Sequence, residues 1–240
     1  MNLRSAGRSD VGLKREANED FFAIDDAAGL FAVADGLGGH VAGRVASELA
    51  VEHFLALLRE PGSGGDFDRL RAACVSAHGA ILEHVATDPA LEGMGTTLAA
   101  LWFREGRVAL AHVGDSRIYV FRDRKLHGLT FDHSLVNEMV FRGALTQSQA
   151  RTHPYRHVIT RALGIGDAIE PDTVELQVRP GDLYLLCSDG ITGQIDHEDL
   201  AQVLLSGGSD LDATVQQLID IANESGGHDN ATAVLVELGE

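Results

Sequence analysis

Cysteine is scarce in this chain, with two in 240 residues. Cys74 and Cys187 are too few for a disulfide framework and lack the paired spacing of a zinc site. Cysteine-based phosphate chemistry is excluded too, because it needs an arginine six positions after the thiolate, where Gly193 follows Cys187 and Ala80 follows Cys74. Both thiols are expected to be reduced core residues. Basic residues are also few. Against 36 Asp and Glu stand 19 Lys and Arg, a formal charge of −17, which argues against nucleic acid or an anionic membrane surface as partner. No apolar run approaches the roughly 18 residues that a membrane span needs, and residues 1–7 have no apolar signal core behind them. A cytoplasmic protein is expected. Repeats of fixed period are missing, as is the regular strand-helix alternation of a parallel sheet.

What the chain does have is a recurring pairing of apolar strand and aspartate. Leu30-Phe31-Ala32-Val33-Ala34 reads as a buried strand that runs into Asp35-Gly36. Leu110-Ala111-His112-Val113 runs into Gly114-Asp115, and Leu183 to Ser188 runs into Asp189-Gly190. Near the C-terminus the order reverses, with Asp229-Asn230 ahead of a run from Ala231 to Val236. A single Asp-Gly is an ordinary turn. Four aspartates at strand ends, with the strands side by side, make one acidic cluster, and a buried carboxylate is costly unless a cation, a donor or water compensates it.

With 45% hydrophobic residues the chain can bury a sizeable core, and one domain over residues 1–240 is expected. Residues 21–34 read as an antiparallel hairpin. Helices are predicted over 41–59 and 66–86, the second with Phe67, Leu70, Cys74, Ala77, Ile81 and Val85 on one face, which together suggest a helical layer on a sheet. Strands over 97–103, 108–113 and 117–122 read as a meander. Short helical pieces follow and are taken as a surface flap over about 132–157, with Thr146 to Gln149 resembling a capping box. Strands over 174–178 and 182–187, joined by Arg179-Pro180-Gly181, read as a second hairpin. Helices over 197–205, capped by Asp196, and 212–222 precede a last strand over 231–238.

Two nucleotide-binding readings of the Gly-rich turn fail by position. A dinucleotide fingerprint from Gly36 needs a small residue where Val41 stands, and a phosphate loop from Gly38 meets Arg44 and Val45 in place of its lysine and hydroxyl. Taken together, seven segments instead resemble the PP2C (PPM) class of metal-dependent serine/threonine protein phosphatases in its compact bacterial form. They are Ser9-Asp10-Val11-Gly12 with Arg15 and Asn18-Glu19-Asp20, then Val33 through His40, Gly95-Thr96-Thr97, Gly114-Asp115-Ser116-Arg117, Thr160-Arg161-Ala162-Leu163-Gly164, Cys187-Ser188-Asp189-Gly190 and Asp229-Asn230-Ala231-Thr232. They keep the family's order over almost the whole chain.

The resemblance implies an α+β fold, a four-layer α-β-β-α sandwich of two mostly antiparallel sheets with helical layers outside and a small flap. It implies two manganese or magnesium ions, with a third at a weaker site. On that basis Asp35 bridges both metals and the Gly36 carbonyl binds the second. Asp189 and Asp229 hold the first, Glu19 and Asp20 surround the second mainly through water, and Asp115 with Asp189 forms a weaker third site. Arg15 resembles the family's phosphate-binding arginine; its structural alternative is a surface ion pair with Glu19.

Such a set of hard oxygen donors suits manganese or magnesium, where zinc would call for histidine or cysteine. Two ions can acidify a shared water and aim it in line at phosphorus, with no phosphoenzyme. The implied substrates are phosphoserine and phosphothreonine on proteins, with a cognate bacterial kinase as partner and a monomeric enzyme. The alternatives are a phosphoprotein-binding regulator with weak catalysis, which would typically have lost a metal aspartate, and a hydrolase of small phosphate esters. One departure stands out: eukaryotic relatives carry a histidine directly after the Asp-Gly pair, thought to protonate the leaving group, where this chain has Leu37. His40 is nearby, but packing or capping of the next helix accounts for it more simply. His133, His153, His157 and His228 are expected in solvent-facing loops.

Overall fold

The computed structural model describes residues 1–39 and 41–239. In chain order the elements are β1 (Leu3–Asp10), β2 (Asp20–Asp25), β3 (Leu30–Leu37), α1 (Val41–Arg59), α2 (Asp66–Val85), β4 (Gly95–Thr96), β5 (Leu98–Arg104), β6 (Arg107–Val113), β7 (Arg117–Arg122), β8 (Lys125–Gly128), α3 (Leu135–Phe141), α4 (Gln147–Arg151), β9 (Asp172–Gln177), β10 (Leu183–Cys187), α5 (Asp189–Thr192), α6 (His197–Ser206), α7 (Leu211–Glu224) and β11 (Ala231–Leu238). One antiparallel sheet has the order β1-β11-β10-β7-β8; the other runs β2-β3-β5-β6-β9, with β4 on β3.

Period-two alternation sorts each central strand between two interiors. In β3, Leu30, Ala32 and Ala34 pack with Phe54, Leu70 and Ile81 of α1 and α2, while Phe31 and Val33 face Ile118, Tyr184 and Val234 of the other sheet. Beyond that sheet, Leu185, Ala233 and Leu235 meet Leu200, Val215 and Leu218 of α6 and α7. The layers are therefore α-β-β-α. Between the sheets Phe103 stands edge-on to Phe31, with centroids 5.7 Å apart, and to Tyr184 at 5.2 Å, so aromatic contact ties one sheet to the other.

The predicted helices form, and the expected caps are present on Asp196 and in the Thr146 capping box. Three local expectations are corrected, and one strand is added that they did not include. β7 does not continue a meander, since β5 and β6 pair in one sheet while β7 pairs β10 in the other. Residues 174–178 and 182–187 form no hairpin either. β9 is a half-exposed edge strand on β6, whereas β10 is buried along its length and takes β7 and β11 as its two neighbours. The turn between them holds at Asp182, whose side chain is 1% exposed, pairs with Arg122 and accepts the Arg179 N–H at 2.7 Å. Phe67 is exposed, because α2 turns Arg69 and Ala73 inward instead. Finally, the polar segment ahead of β2 contains a strand, β1, paired with β11 over its full length.

Candidate metal centre

The aspartates sit where the chain leaves or enters the sheets. Asp35 lies near the end of β3 with Asp20 opposite it on β2. Asp115 occupies the corner where the chain passes from β6 to β7, Asp189 opens α5 directly after β10, and Asp229 precedes β11. Both sheets thus deliver carboxylates to one end of the sandwich.

Backbone and hydroxyl groups hold them in place. The Asp35 N–H donates to Thr97 Oγ1 (2.9 Å), and its carbonyl accepts from the Thr97 N–H (2.9 Å) and the Thr96 hydroxyl (2.8 Å). Thr97 Oγ1 lies 2.7 Å from Ser116 Oγ, which links Asp35 to the Asp115 corner. Ser188 donates to Asp20 Oδ2 (2.7 Å) and accepts from the Thr232 N–H (3.0 Å), a bridge from one sheet to the other. The Glu19 N–H donates to Asn230 Oδ1 (2.8 Å), and Asn230 Nδ2 donates to the carbonyls of Val11 and Ala17. Gly36 is needed for close approach: a Cβ there would lie 2.1 Å from the Gly43 carbonyl oxygen.

Electrostatics shows what this cluster costs. Burial first, then repulsion from Asp20, Asp189, Asp115 and Asp229, holds the Asp35 carboxyl well above the ordinary range. Burial raises Asp20 to about 7, with Asp189 and Asp229 adding to it against the hydrogen bonds from Thr232 and Ser188. Burial with Asp189 and Asp132 raises Asp115 to about 8, and burial with Asp229 raises Asp189. Asp20 Oδ1 and Asp115 Oδ1 are buried with no hydrogen-bond partner. Unpaired oxygens in a mutually repelling set of hard donors are the signature of a place for multivalent cations, so the residues fit manganese or magnesium. Arg15 reaches the cluster from the loop after β1, with Nη2 2.7 Å from Asp229 Oδ2 and the side chain half exposed. It pairs with Asp229, not with Glu19 as the structural alternative had it. Beside the cluster a cleft of about 590 Å³ runs between Asp115, Asp189 and Asp229 on one side and Asn137, Arg151 and Arg156 of the flap on the other.

The family sequence model described as protein phosphatase 2C matches residues 13–237. The chain belongs to the protein phosphatase 2C family. It is 42% identical to the serine/threonine protein phosphatase PstP of Mycobacterium tuberculosis H37Rv, over 98% of this chain and 45% of that protein. It thus spans about half the length of that relative. Protein phosphatase PhpP of Streptococcus pneumoniae D39 is 36% identical, with 97% of this chain and 96% of that protein covered. The crystal structure of the catalytic domain of PstP in complex with two manganese ions superposes with a TM-score of 0.90 at 39% identity, covering 99% of each chain.

Among the residues singled out from the phosphatase 2C resemblance, Asp20, Asp35, Asp115, Asp189 and Asp229 lie within one another's field. Glu19 stands beside the Asp35-Gly36 end of β3, its carbonyl accepting from the Gly36 N–H (3.2 Å) and from Ser47 Oγ (2.6 Å). His40 falls outside the described residues. Thr97, Ser188 and Asn230 were legible only as letters in motifs; their hydroxyl and amide bonds to the cluster give them their work. His133, expected in solvent, is buried at 8% exposure. No periodicity marks it, because its surroundings come from three separate segments.

Proposed function

We propose that this chain is a single protein phosphatase domain, residues 1–240, that hydrolyses phosphoserine and phosphothreonine on proteins with manganese or magnesium. The observation that carries the reading is the convergence of Asp20, Asp35, Asp115 and Asp189, each pushed above the ordinary carboxylate range, beside an open cleft that Asp115 and Asp189 line. In this reading Asp35, Asp189 and Asp229 would hold one ion, and Asp35 would also serve the second. The Gly36 carbonyl, Asp20 and Glu19 surround the second, and Asp115 with Asp189 offers a weaker third position. When bound, such ions supply Lewis acidity and a water acidified towards neutrality.

The chain's own side chains do the rest. Thr97 and Ser188 keep two of the carboxylates aimed, so that little reorganisation accompanies reaction. Arg15, at the rim and half exposed, can grip two phosphate oxygens with its planar fork as the bond to the serine or threonine oxygen breaks. Arg151 and Arg156 line the cleft of a chain that is otherwise strongly acidic, while Arg117 beside them is paired with Asp132; the two arginines support a phosphorylated peptide as occupant. A cognate kinase, cytoplasmic location and a monomeric state complete the proposal; among the described residues no helix is long and apolar enough to cross a membrane.

The test is turnover of phosphothreonine peptides against small phosphate esters, with manganese and after exhaustive chelation. Phosphopeptide turnover that is lost on chelation and restored by manganese is expected. Full activity at near-zero metal content would sink the reading.

A further inference from the structure

Outside the carboxylate cluster, the described residues contain one compact group of ligand-type side chains. His112, His133 and Asp172 each offer an atom, and these lie within 4.8 Å of one another. The protons in this group decide what it is. The Gly114 N–H donates to His133 Nδ1 at 3.1 Å, so that nitrogen carries a lone pair and the neutral ring keeps its proton on Nε2. Arg161 Nη1 has two hydrogens and gives them to the Glu170 carbonyl and Asp172 Oδ1, each at 2.9 Å. His133 Nε2–H is therefore left to donate to Asp172 Oδ2 at 3.3 Å. A cation on that nitrogen would have to displace the proton and stand against the Arg161 guanidinium 3.1 Å away. The group is a clamp and not an ion site.

What it clamps is the corner that carries Asp115. The His133 N–H donates to the Gly114 carbonyl at 2.7 Å while its ring accepts from the Gly114 N–H, a two-point hold on the residue before Asp115. On the other flank His112 Nε2–H donates to the Ser116 carbonyl at 2.8 Å. The two rings lie 4.8 Å apart between centroids. Gly114 has φ +102°, and a Cβ there would lie 2.5 Å from Thr97 Cγ2. The corner thus takes a conformation open to glycine and leaves no room for a side chain, so its position is set by the groups bonded to its backbone. His133 is also where the two ends of the flap meet. Its carbonyl accepts from the Thr160 N–H at 2.8 Å, the Leu135 N–H donates to the Val158 carbonyl at 2.9 Å, and Ser134 bridges Ile159.

We propose that His133, with His112 on the opposite flank, is a positioning residue for Asp115 that ties this carboxylate to the root of the flap. The proposal rests on the reading of Asp115 as the ligand of the weakest metal. A flap root that shifts would move the Gly114 corner with it, so occupancy of that position and the placing of the flap over the cleft are one coupled event.

Two isosteric substitutions separate the clamp's halves. His133→Asn keeps an acceptor near the Nδ1 position and loses the reach to Asp172; His133→Gln keeps the reach and loses the acceptor. Both remove similar packing, so their melting temperatures should fall alike. Three readouts are needed: amide hydrogen exchange at Gly114 in the chelated protein, calorimetric manganese titration, and kcat and KM on a phosphothreonine peptide. In His133→Gln the Gly114 amide should lose protection, the weakest manganese step should weaken by about 10- to 100-fold and kcat should fall, while the two tighter steps persist. His133→Asn should stay close to the parent in all three. If Asp115→Asn leaves the weakest step untouched, the premise about Asp115 fails. If Asp115→Asn removes that step while both His133 variants bind like the parent, or lose equally, the clamp itself is refuted.

Discussion

Stripping the metal should make the fold lose stability as pH rises from 6.5 to 8, and the sign follows from the carboxylates. Asp20 is raised to about 7 and Asp115 to about 8 by burial and neighbouring charge, against an unfolded value near 4. The folded state then holds protons that the unfolded chain has released. This contribution is fully present below about pH 4 and is lost as pH climbs through the folded values. The histidines held neutral by burial, His78, His112 and His133, act the other way, but only below about 6.5. Carboxylates held low, such as Asp25 and Asp172, act only below about pH 4.

From about pH 6.5 to 8, at about 1.4 kcal/mol per unit, Asp115 removes about 2 kcal/mol and Asp20 somewhat less than 1. Asp35 and Asp189 push in the same direction. For a chain of this length a loss of about 3 kcal/mol lowers the melting temperature by about 6–12 °C. Circular-dichroism melts of chelated protein across this range should show the fall, and added manganese should abolish it. Asp35→Asn, which removes one of the repelling charges, should melt higher than the parent when stripped at pH 8 yet gain less from manganese. A stripped protein whose melting temperature is flat or rising from pH 6.5 to 8 would refute the picture of mutually destabilised carboxylates.

The aspartates should separate by role in calorimetry and phosphopeptide kinetics. Asp35→Asn is expected to lose both tight manganese steps and more turnover than the about 10- to 100-fold that follows loss of an outer partner, Asp229→Asn to weaken mainly one ion and recover in part at high manganese, and Asp115→Asn to keep the two tight steps while turning over more slowly. Equal losses in all three would show that the assignment of roles is wrong. Cys74→Ser and Cys187→Ser should leave kcat/KM close to the parent, since burial pushes both thiols up to about 12 and neither precedes a phosphate-loop arginine; a folded Cys187→Ser variant without turnover would contradict this. Arg122→Met strands the buried Asp182 carboxylate and should cost about 3 kcal/mol in urea denaturation with manganese affinity unchanged, so a loss of metal binding there would show coupling that the separation of the two sites does not predict.

Much of the local structure was legible because periodicity is a local signal. The limits of α1 follow from apolar spacing between the Gly-rich turn and the breaker run Pro61 to Gly65, the strand over 231–238 follows from its apolar run, and Asp196 and Thr146 announce their caps. The errors over strands share one cause: which sheet a strand joins is decided by partners far away in the chain. The segment 182–187 looks like the second arm of a hairpin, yet a strand buried at every position needs neighbours on both sides, and β7 and β11 supply them. β1 escaped notice because its Ser, Gly and Arg residues carry no strand signal of their own and it is recruited by β11.

The same reasoning explains why the site was easier to find than its supports. Ligand carboxylates must stand at strand ends, where an apolar run breaking into Asp is visible in one dimension. The groups that aim them act between segments far apart in the chain: Thr97 meets Asp35 across neighbouring strands of one sheet, Ser188 meets Asp20 between the two sheets, and His133 meets Gly114 from the loop ahead of α3. The passage from sheet to sheet at residues 114–116 and the end of β10 at residues 188–189 are therefore where the proposed ligand carboxylates and their hydrogen-bonding supports coincide. A substitution at residues 114–116 would disturb the sheet crossing and the carboxylate cluster together.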